Sequence, residues 1–181
     1  MGKKVGALAC WKSKTSEIQT ILNRAISHLA ILKRRRLAIS KIARLDVMQL
    51  LRLNDHQQAL SRVEKVIEHQ NMLDVYDMIY AHCHFLIERI DIIEQSNDCP
   101  GDMKKVVSDI LYAAPRCGQF PELQEIQRIL TSRFGKDFAN DAIELTRNHG
   151  VSQKMIQKLS PEKSSFEDKM NMLTGIVKEN G

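Results

Sequence analysis

Two short stretches hold residue types that do chemistry. In "AHCHF", Ala81–Phe85, His82 and His84 flank Cys83, and imidazole and thiolate are the ligands of zinc. On a helix, residues two apart point about 200° away from each other, whereas helical ligand pairs sit three or four apart. His84 and Glu88 satisfy that spacing, but two ligands do not close a site, so ordinary helix surface is the better reading. In "PRCG", Cys117 follows Arg116 close to a helix start. A neighbouring cation and a helix amino terminus both favour a thiolate nucleophile. No histidine lies nearby in sequence to act as its base, and a small buried thiol is the commoner state of such a residue. Gly-rich phosphate loops, a G-x-S-x-G elbow and H-E-x-x-H are all missing from the sequence. The residues therefore argue against an enzyme and imply no cofactor and no metal.

The remaining chemistry is that of cations. Residues 1–53 hold twelve Lys or Arg against two acids, Glu17 and Asp46, for a net +10. Residues 54–97 hold three basic and eight acidic residues, a net −5, and residues 98–181 hold twelve of each. The overall charge of +5 hides this split. A basic face made of Lys12, Arg24, Lys33, Arg34, Arg35, Lys41, Arg44 and Arg52 suits an anionic membrane, where each Lys or Arg adds about 1 kcal/mol, an acidic protein, or nucleic-acid phosphate. The segment has no aromatic interleaving and no recognition motif, which disfavours nucleic acid. A basic helical nucleic-acid-binding protein is retained as the alternative.

These cations need an element to position them. From about Lys12 to Leu53 there is no glycine or proline, and apolar residues recur at Ile18, Leu22, Ala25, Leu29, Leu32, Ile39, Ala43, Val47 and Leu50. That spacing predicts one amphipathic helix over about 12–53, roughly 60 Å long. Lys12, Arg34, Lys41 and Arg52 fall nearly opposite the apolar stripe, Lys33 and Arg44 on one flank, Arg24 and Arg35 on the other. Arg36 falls inside the stripe and needs an acidic partner or room to snorkel.

After Asn54 or Asp55, either of which suits a cap, a second apolar period runs over about 55–97. The simplest solution is a long antiparallel hairpin in which Glu64, Glu68, Asp74, Asp77, Glu88 and Asp91 lie along the basic first helix and help fix the pairing. "QSNDCPG" breaks the chain, and a short helix then runs to Pro115. A longer helix starts near Pro121 and extends to about His149, with Gly135 an odd interior residue and Gly150 closing it. Ser152 caps a brief helix to Leu159, and "SPEK" at Ser160 opens the last. The fold class is all-α, a hairpin carrying about four shorter helices, in a single domain over 1–181.

Glycine and proline number only 8 and 4, and no apolar run approaches the ~20 residues of a membrane span. The start has no long apolar centre of a secretory signal. Gly2 invites myristoylation, but Gly6 stands where that pattern wants Ser or Thr. Cys10, Cys83, Cys99 and Cys117 show no paired spacing, which fits reduced thiols and a cytoplasmic protein.

The order of elements then becomes specific. The basic helix, the acidic helix, "ILYAAPRCGQFPELQEI", "SRFGKDFANDA" and "GVSQKMIQKLSPE" together resemble the amino-terminal domain of the Increased Sodium Tolerance family. The resemblance covers about residues 5–180. Its sharpest element is the corner Tyr112, Ala113, Ala114, Pro115 and Arg116, followed by Phe120, Glu122 and Leu123, and "YAAPRCG" and "FGKDF" are most similar to the plant branch. It implies an ESCRT-III-like fold and an adaptor that regulates the AAA ATPase of the multivesicular body pathway. The implied partners are an ESCRT-III subunit, the ATPase with its MIT-domain cofactor, further copies of itself and an anionic endosomal membrane. It also implies a peripheral place on endosomes. In the family the ATPase contact lies in a carboxy-terminal motif binding microtubule-interacting and transport domains beyond a flexible linker, and neither is in this sequence. Within the corner, Pro115, Gly118 and Pro121 set chain direction, and Arg116 is expected to tie to an acid of the second helix or to face a partner.

Overall fold

The computed structural model describes the backbone of residues 4–180 and the side chains of residues 17–180. Among the described residues eight α-helices follow in order: α1 Lys4–Arg52, α2 His56–Ile87, α3 Ile90–Gln95, α4 Lys104–Ala113, α5 Pro121–Phe134, α6 Lys136–Glu144, α7 Gln153–Lys158 and α8 Phe166–Asn180. A 3₁₀ turn, Ala114–Arg116, follows α4. The all-α expectation holds, and no strand occurs among the described residues. The chain packs as two compact units: α1 up to Leu29 with Asp77–Gln157, and Ala30–Tyr76 with the chain from Lys158.

In the first unit α4, α5 and α6 pack on one another. Ile110, Leu111, Leu123, Ile126, Leu130 and Ala142 are fully buried. The early part of the predicted stripe, Ile18, Leu22, Ala25 and Leu29, is buried as well. The second helix is not continuous to residue 97. Arg89 donates its amide to Leu86, three residues back, and this tightened turn ends α2 before α3 restarts. Arg133 of α5 donates to the carbonyls of Ile93 (2.6 Å) and Glu94, covering acceptors at the end of α3.

The expected long helix through Gly135 is two helices. Gly135 has φ +96° and ψ 155°, which ends α5 and starts α6, a conformation only glycine adopts without strain. The stop after α6 is Leu145 in the left-handed region at φ +54°, rather than Gly150. Gly150, at φ +67°, instead turns the chain close over α4: a Cβ there would lie 2.9 Å from Ser108 Oγ.

The second unit contains the turn of the hairpin. Asp55 is the cap, accepting from the Gln58 amide at 3.1 Å, and Asn54 takes the left-handed φ of +57°. Asp46 of α1 pairs with Arg62 of α2, and Arg36 with His69, so moving back along one helix moves forward along the other. The two are antiparallel. Ala43 and Val47 of α1, Val63 and Val66 of α2 and Ile176 of α8 form one core cluster.

Two expectations fail in this unit. The last helix begins at Phe166, not near Ser160, because Ser165 supplies the cap, accepting from the Asp168 amide at 3.1 Å. Three of the α2 acids pair away from the basic face: Glu64 with Lys169 of α8, Asp74 with Lys158, and Glu68 with Lys65 of its own helix. The reason is geometric, since cations opposite an apolar stripe point away from the helix that packs on that stripe.

Candidate functional site

The outward face of α1 is built by its own periodicity. With Leu32, Ala43 and Val47 buried, the opposite side of residues 30–53 must carry whatever the sequence places there. It carries cations and, between them, large apolar residues. Ile31 is 58% exposed, Ile42 59%, Leu45 53% and Leu53 68%. Ile31, Ala38, Ile42 and Leu45 step by seven, four and three, so they form one line along the helix. Leu37 and Ile39 are also exposed.

The predicted basic residues divide into tied and solvent-facing groups. Arg24, in the first unit, lies 4.0 Å from both Glu122 and Glu125 of α5. Arg44, in the second, donates to Glu179 of α8 at 3.0 Å. Arg34, Arg35, Lys41 and Arg52 are exposed, and among the described residues they show no ion pair. Lys33 is half-buried. Lys12 lies outside the residues whose side chains are described. The solvent-facing cations thus flank the apolar line in the second unit.

Arg36, the cation inside the stripe, finds an imidazole rather than an acid: its Nη1 lies 3.1 Å from His69 Nδ1. Burial and the adjacent guanidinium push the His69 imidazole below its ordinary value, so the ring is held neutral as an acceptor. Two expected members of the buried stripe are displaced from it. Ile39 is 41% exposed and Leu50 is half-buried, while Ser40 is buried in the intervening turn.

The corner of the first unit is mostly packing. Tyr112, Ala113, Ala114, Phe120 and Leu123 are buried, and Pro115 is exposed in the 3₁₀ turn. Arg116 is tied, though not to an acid of the second helix. It donates to the Tyr112 carbonyl at 2.8 Å and to the Ile143 carbonyl at 3.2 Å, and its guanidinium lies 3.7 Å from the centre of the Tyr112 ring. A cation over the last carbonyls of α4 closes that helix and pins the end of α6 to it. Glu122 pairs with His28 of α1 at 2.8 Å. Burial would raise this carboxyl, but His28 and Arg24 outweigh it and hold the group below its ordinary value. Cys117 is 5% exposed, which keeps its thiol from acting as a nucleophile on a substrate in solution.

A polar knot that the sequence did not announce sits beside the corner. Asp109 is fully buried, and its carboxylate pairs with His82 Nε2 at 2.9 Å and accepts from the Ser152 amide at 2.7 Å and hydroxyl at 2.9 Å. His82 is thereby a structural partner of a carboxylate, and His84 packs edge-on against Tyr80. No cluster of three or more His, Cys, Asp or Glu side chains able to hold a metal exists among the described residues. Cys83 and Cys99 form no disulfide among the described residues, and burial pushes the Cys83 thiol up to about 12. Among the described residues no helix is long and apolar enough to cross a membrane.

These elements define an all-α domain whose first helix presents an outward face of cations and apolar side chains. A family model described as Ist1, regulator of Vps4 activity in the MVB pathway, matches residues 19–181, and the chain belongs to this family. It is 30% identical over 144 residues to an IST1-like protein of Dictyostelium discoideum, covering 80% of this chain and 38% of that protein. It is 24% identical over 155 residues to the vacuolar protein sorting-associated protein IST1 of Saccharomyces cerevisiae, covering 81% of this chain and 51% of that protein. The chain therefore spans about half or less of the curated relatives it matches. The crystal structure of the S. cerevisiae Ist1 N-terminal domain, in complex with a Did2 MIM motif, superposes with a TM-score of 0.82 at 24% identity over 92% of both chains.

Proposed function

We propose that this chain is the ESCRT-III-like domain of a non-enzymatic scaffold and adaptor. It binds ESCRT-III subunits and regulates the AAA ATPase of the multivesicular body pathway in endosomal protein sorting. The observation that carries this reading beyond family membership is the outward face of α1, where Ile31, Ile42 and Leu45 stand exposed among Arg34, Arg35 and Lys41. Apolar residues at helical spacing bordered by cations match an amphipathic, acidic helix, the form in which one protein lays a segment along another. The solved yeast relative, crystallised with a Did2 MIM motif, supports a partner that binds through a motif of its chain. Direct contact with the ATPase is assigned to the part of the relatives that this chain does not span, and the place of action to the cytoplasmic side of endosomes. Assignment to the plant branch rests on the wording of "YAAPRCG" and "FGKDF" alone.

The test is binding of the chain to an ESCRT-III subunit and to anionic liposomes, with Lys33, Arg34, Lys41 and Arg44 each replaced by Glu, and separately with Ile42→Asp. Loss of subunit binding by roughly tenfold or more in both variants is expected, because each removes about one favourable desolvated contact or more. Binding to subunit and liposomes that matches the parent in both variants removes this face from the mechanism. Affinity for duplex or single-stranded nucleic acid falling steeply with salt would instead favour the nucleic-acid reading.

A further inference from the structure

Between α7 and α8 the chain is irregular over residues 159–165, and one residue of its second half turns inward. Ser164 donates from its amide (2.9 Å) and its hydroxyl (3.0 Å) to the same oxygen of Glu64 on α2. The other Glu64 oxygen lies 2.8 Å from Lys169 Nζ, in the first turn of α8. Burial alone would raise the Glu64 carboxyl, but Lys169 and Ser164 outweigh it and hold it below its ordinary value, so a full negative charge sits under the serine. The flanking residues, Ser160–Lys163 on one side and Ser165–Asp168 on the other, are exposed. An exposed irregular segment is the form in which a modifying enzyme takes up a peptide.

We propose that Ser164 is a phosphorylation site and that its modification releases α8 from the hairpin. The sequence supplies the recognition chemistry: Glu167 and Asp168 stand three and four residues after Ser164, which suits a protein kinase whose substrate groove is basic. In the transfer, Ser164 Oγ bonds to the γ-phosphorus of a nucleoside triphosphate and the bond from that phosphorus to the bridging oxygen breaks. The nucleoside diphosphate leaves and the hydroxyl proton passes to the kinase's base.

The product carries a charge of about −2 where a neutral donor stood. Its oxygens face a carboxylate within hydrogen-bond reach, and Lys169 is the one described cation pairing with that carboxylate. The contact changes from two donated hydrogen bonds to like-charge repulsion at short range. What remains to hold α8 is Ile176 in the core cluster, Met172 and Leu173 packed against that cluster, and the Arg44–Glu179 pair, and release uncovers Val47, Val63 and Val66. Ser165 is the internal contrast. Its hydroxyl caps α8, accepting from the Asp168 amide and donating to the Asp168 carboxylate at 2.6 Å; that carboxylate is exposed and on the same helix, so it can turn into solvent, and negative charge at a helix amino terminus is stabilising. A phosphate on Ser165 keeps α8 seated.

The chain is incubated with an acidophilic serine kinase and ATP, and the site is located by peptide fragmentation. Phosphate on Ser164 is expected; none, or phosphate confined to Ser160 or Ser165, overturns the proposal. In parallel, amide hydrogen exchange of α8 is followed in S164E, S165E and S164E with E64Q. Exchange faster by about tenfold in S164E, the size of one unfavourable charge contact, no acceleration in S165E, and recovery on adding E64Q are expected. Equal exchange in S164E and S165E, or no recovery with E64Q, overturns it. Should S164E alone fail to fold, the E64Q background still compares Glu with Ser at position 164.

Discussion

The two compact units are held together by different kinds of polar contact. In the first, the decisive group is Asp109, fully buried and gripping His82 and Ser152 from elements far apart in the chain. In the second, the ties include half-exposed pairs such as Arg44–Glu179 and Arg62–Asp46, set around an apolar cluster, with the Glu64–Lys169 pair less exposed. A buried carboxylate with three partners defines one geometry and tolerates no alternative, because a partner left behind in the interior is costly. Half-exposed pairs contribute little each and exchange readily with water. The first unit is thereby suited to hold a shape, and the second to present and release surfaces.

The sharpest way to break this comparison is Asp109→Ala. It strands the Ser152 amide and hydroxyl and the His82 ring without an acceptor, and should cost about 3–5 kcal/mol. Urea denaturation measures it, and a loss below about 1 kcal/mol would mean that water or rearrangement replaces the carboxylate, so that the units do not differ in kind. Next in size is Ile176→Ala. Ile176 is fully buried in the second unit's cluster, and truncation should cost about 2–4 kcal/mol by transfer and cavity terms. Hydrogen exchange should place most of that loss in α8. Uniform acceleration across α4 and α5 as well would show that the two units share one stability.

How much of this was legible beforehand follows from where the deciding contacts lie. The buried stripe of α1 is a local, repeating signal, and Leu22, Ala25, Leu29, Ala43 and Val47 are all buried as the spacing requires. The break at Gly135 is hidden because Phe134, Phe138 and Ala142 keep helical spacing across it. Only the backbone torsion distinguishes a tolerated interior glycine from a joint. Asp109 sits in the apolar run "VVSDILYAA" with partners 27 and 43 residues away, and no local pattern reports such a contact. The line Ile31, Ala38, Ile42 and Leu45 was readable as a second apolar register. The first register already accounts for the helix, and a sequence does not say how many faces of a helix are covered.

The smallest effect probes the partly buried imidazole contact of the second unit, which depends on protonation. His69 Nδ1 accepts from Arg36, and burial first, then Arg36 with weaker contributions from Lys65 and Arg62, push the ring below its ordinary 6.5, while Glu68 acts the other way. Above about pH 6.5 the ring is neutral whether the chain is folded or not, and this contact is intact. As the pH falls below that value the unfolded chain takes up the proton first, so stability declines until the folded ring also protonates. Arg36→Met removes the neighbouring cation and should move the His69 titration back toward its ordinary value, narrowing the window over which stability falls. An NMR titration of the imidazole, with denaturation at about pH 7.5 and 5.5, reads both. A ring that titrates at its ordinary value in the parent chain, or one that Arg36→Met leaves unmoved, would make this contact as indifferent as the surface pairs around it. A ring that behaves as described would make the Arg36–His69 contact an acid-sensitive joint of the second unit.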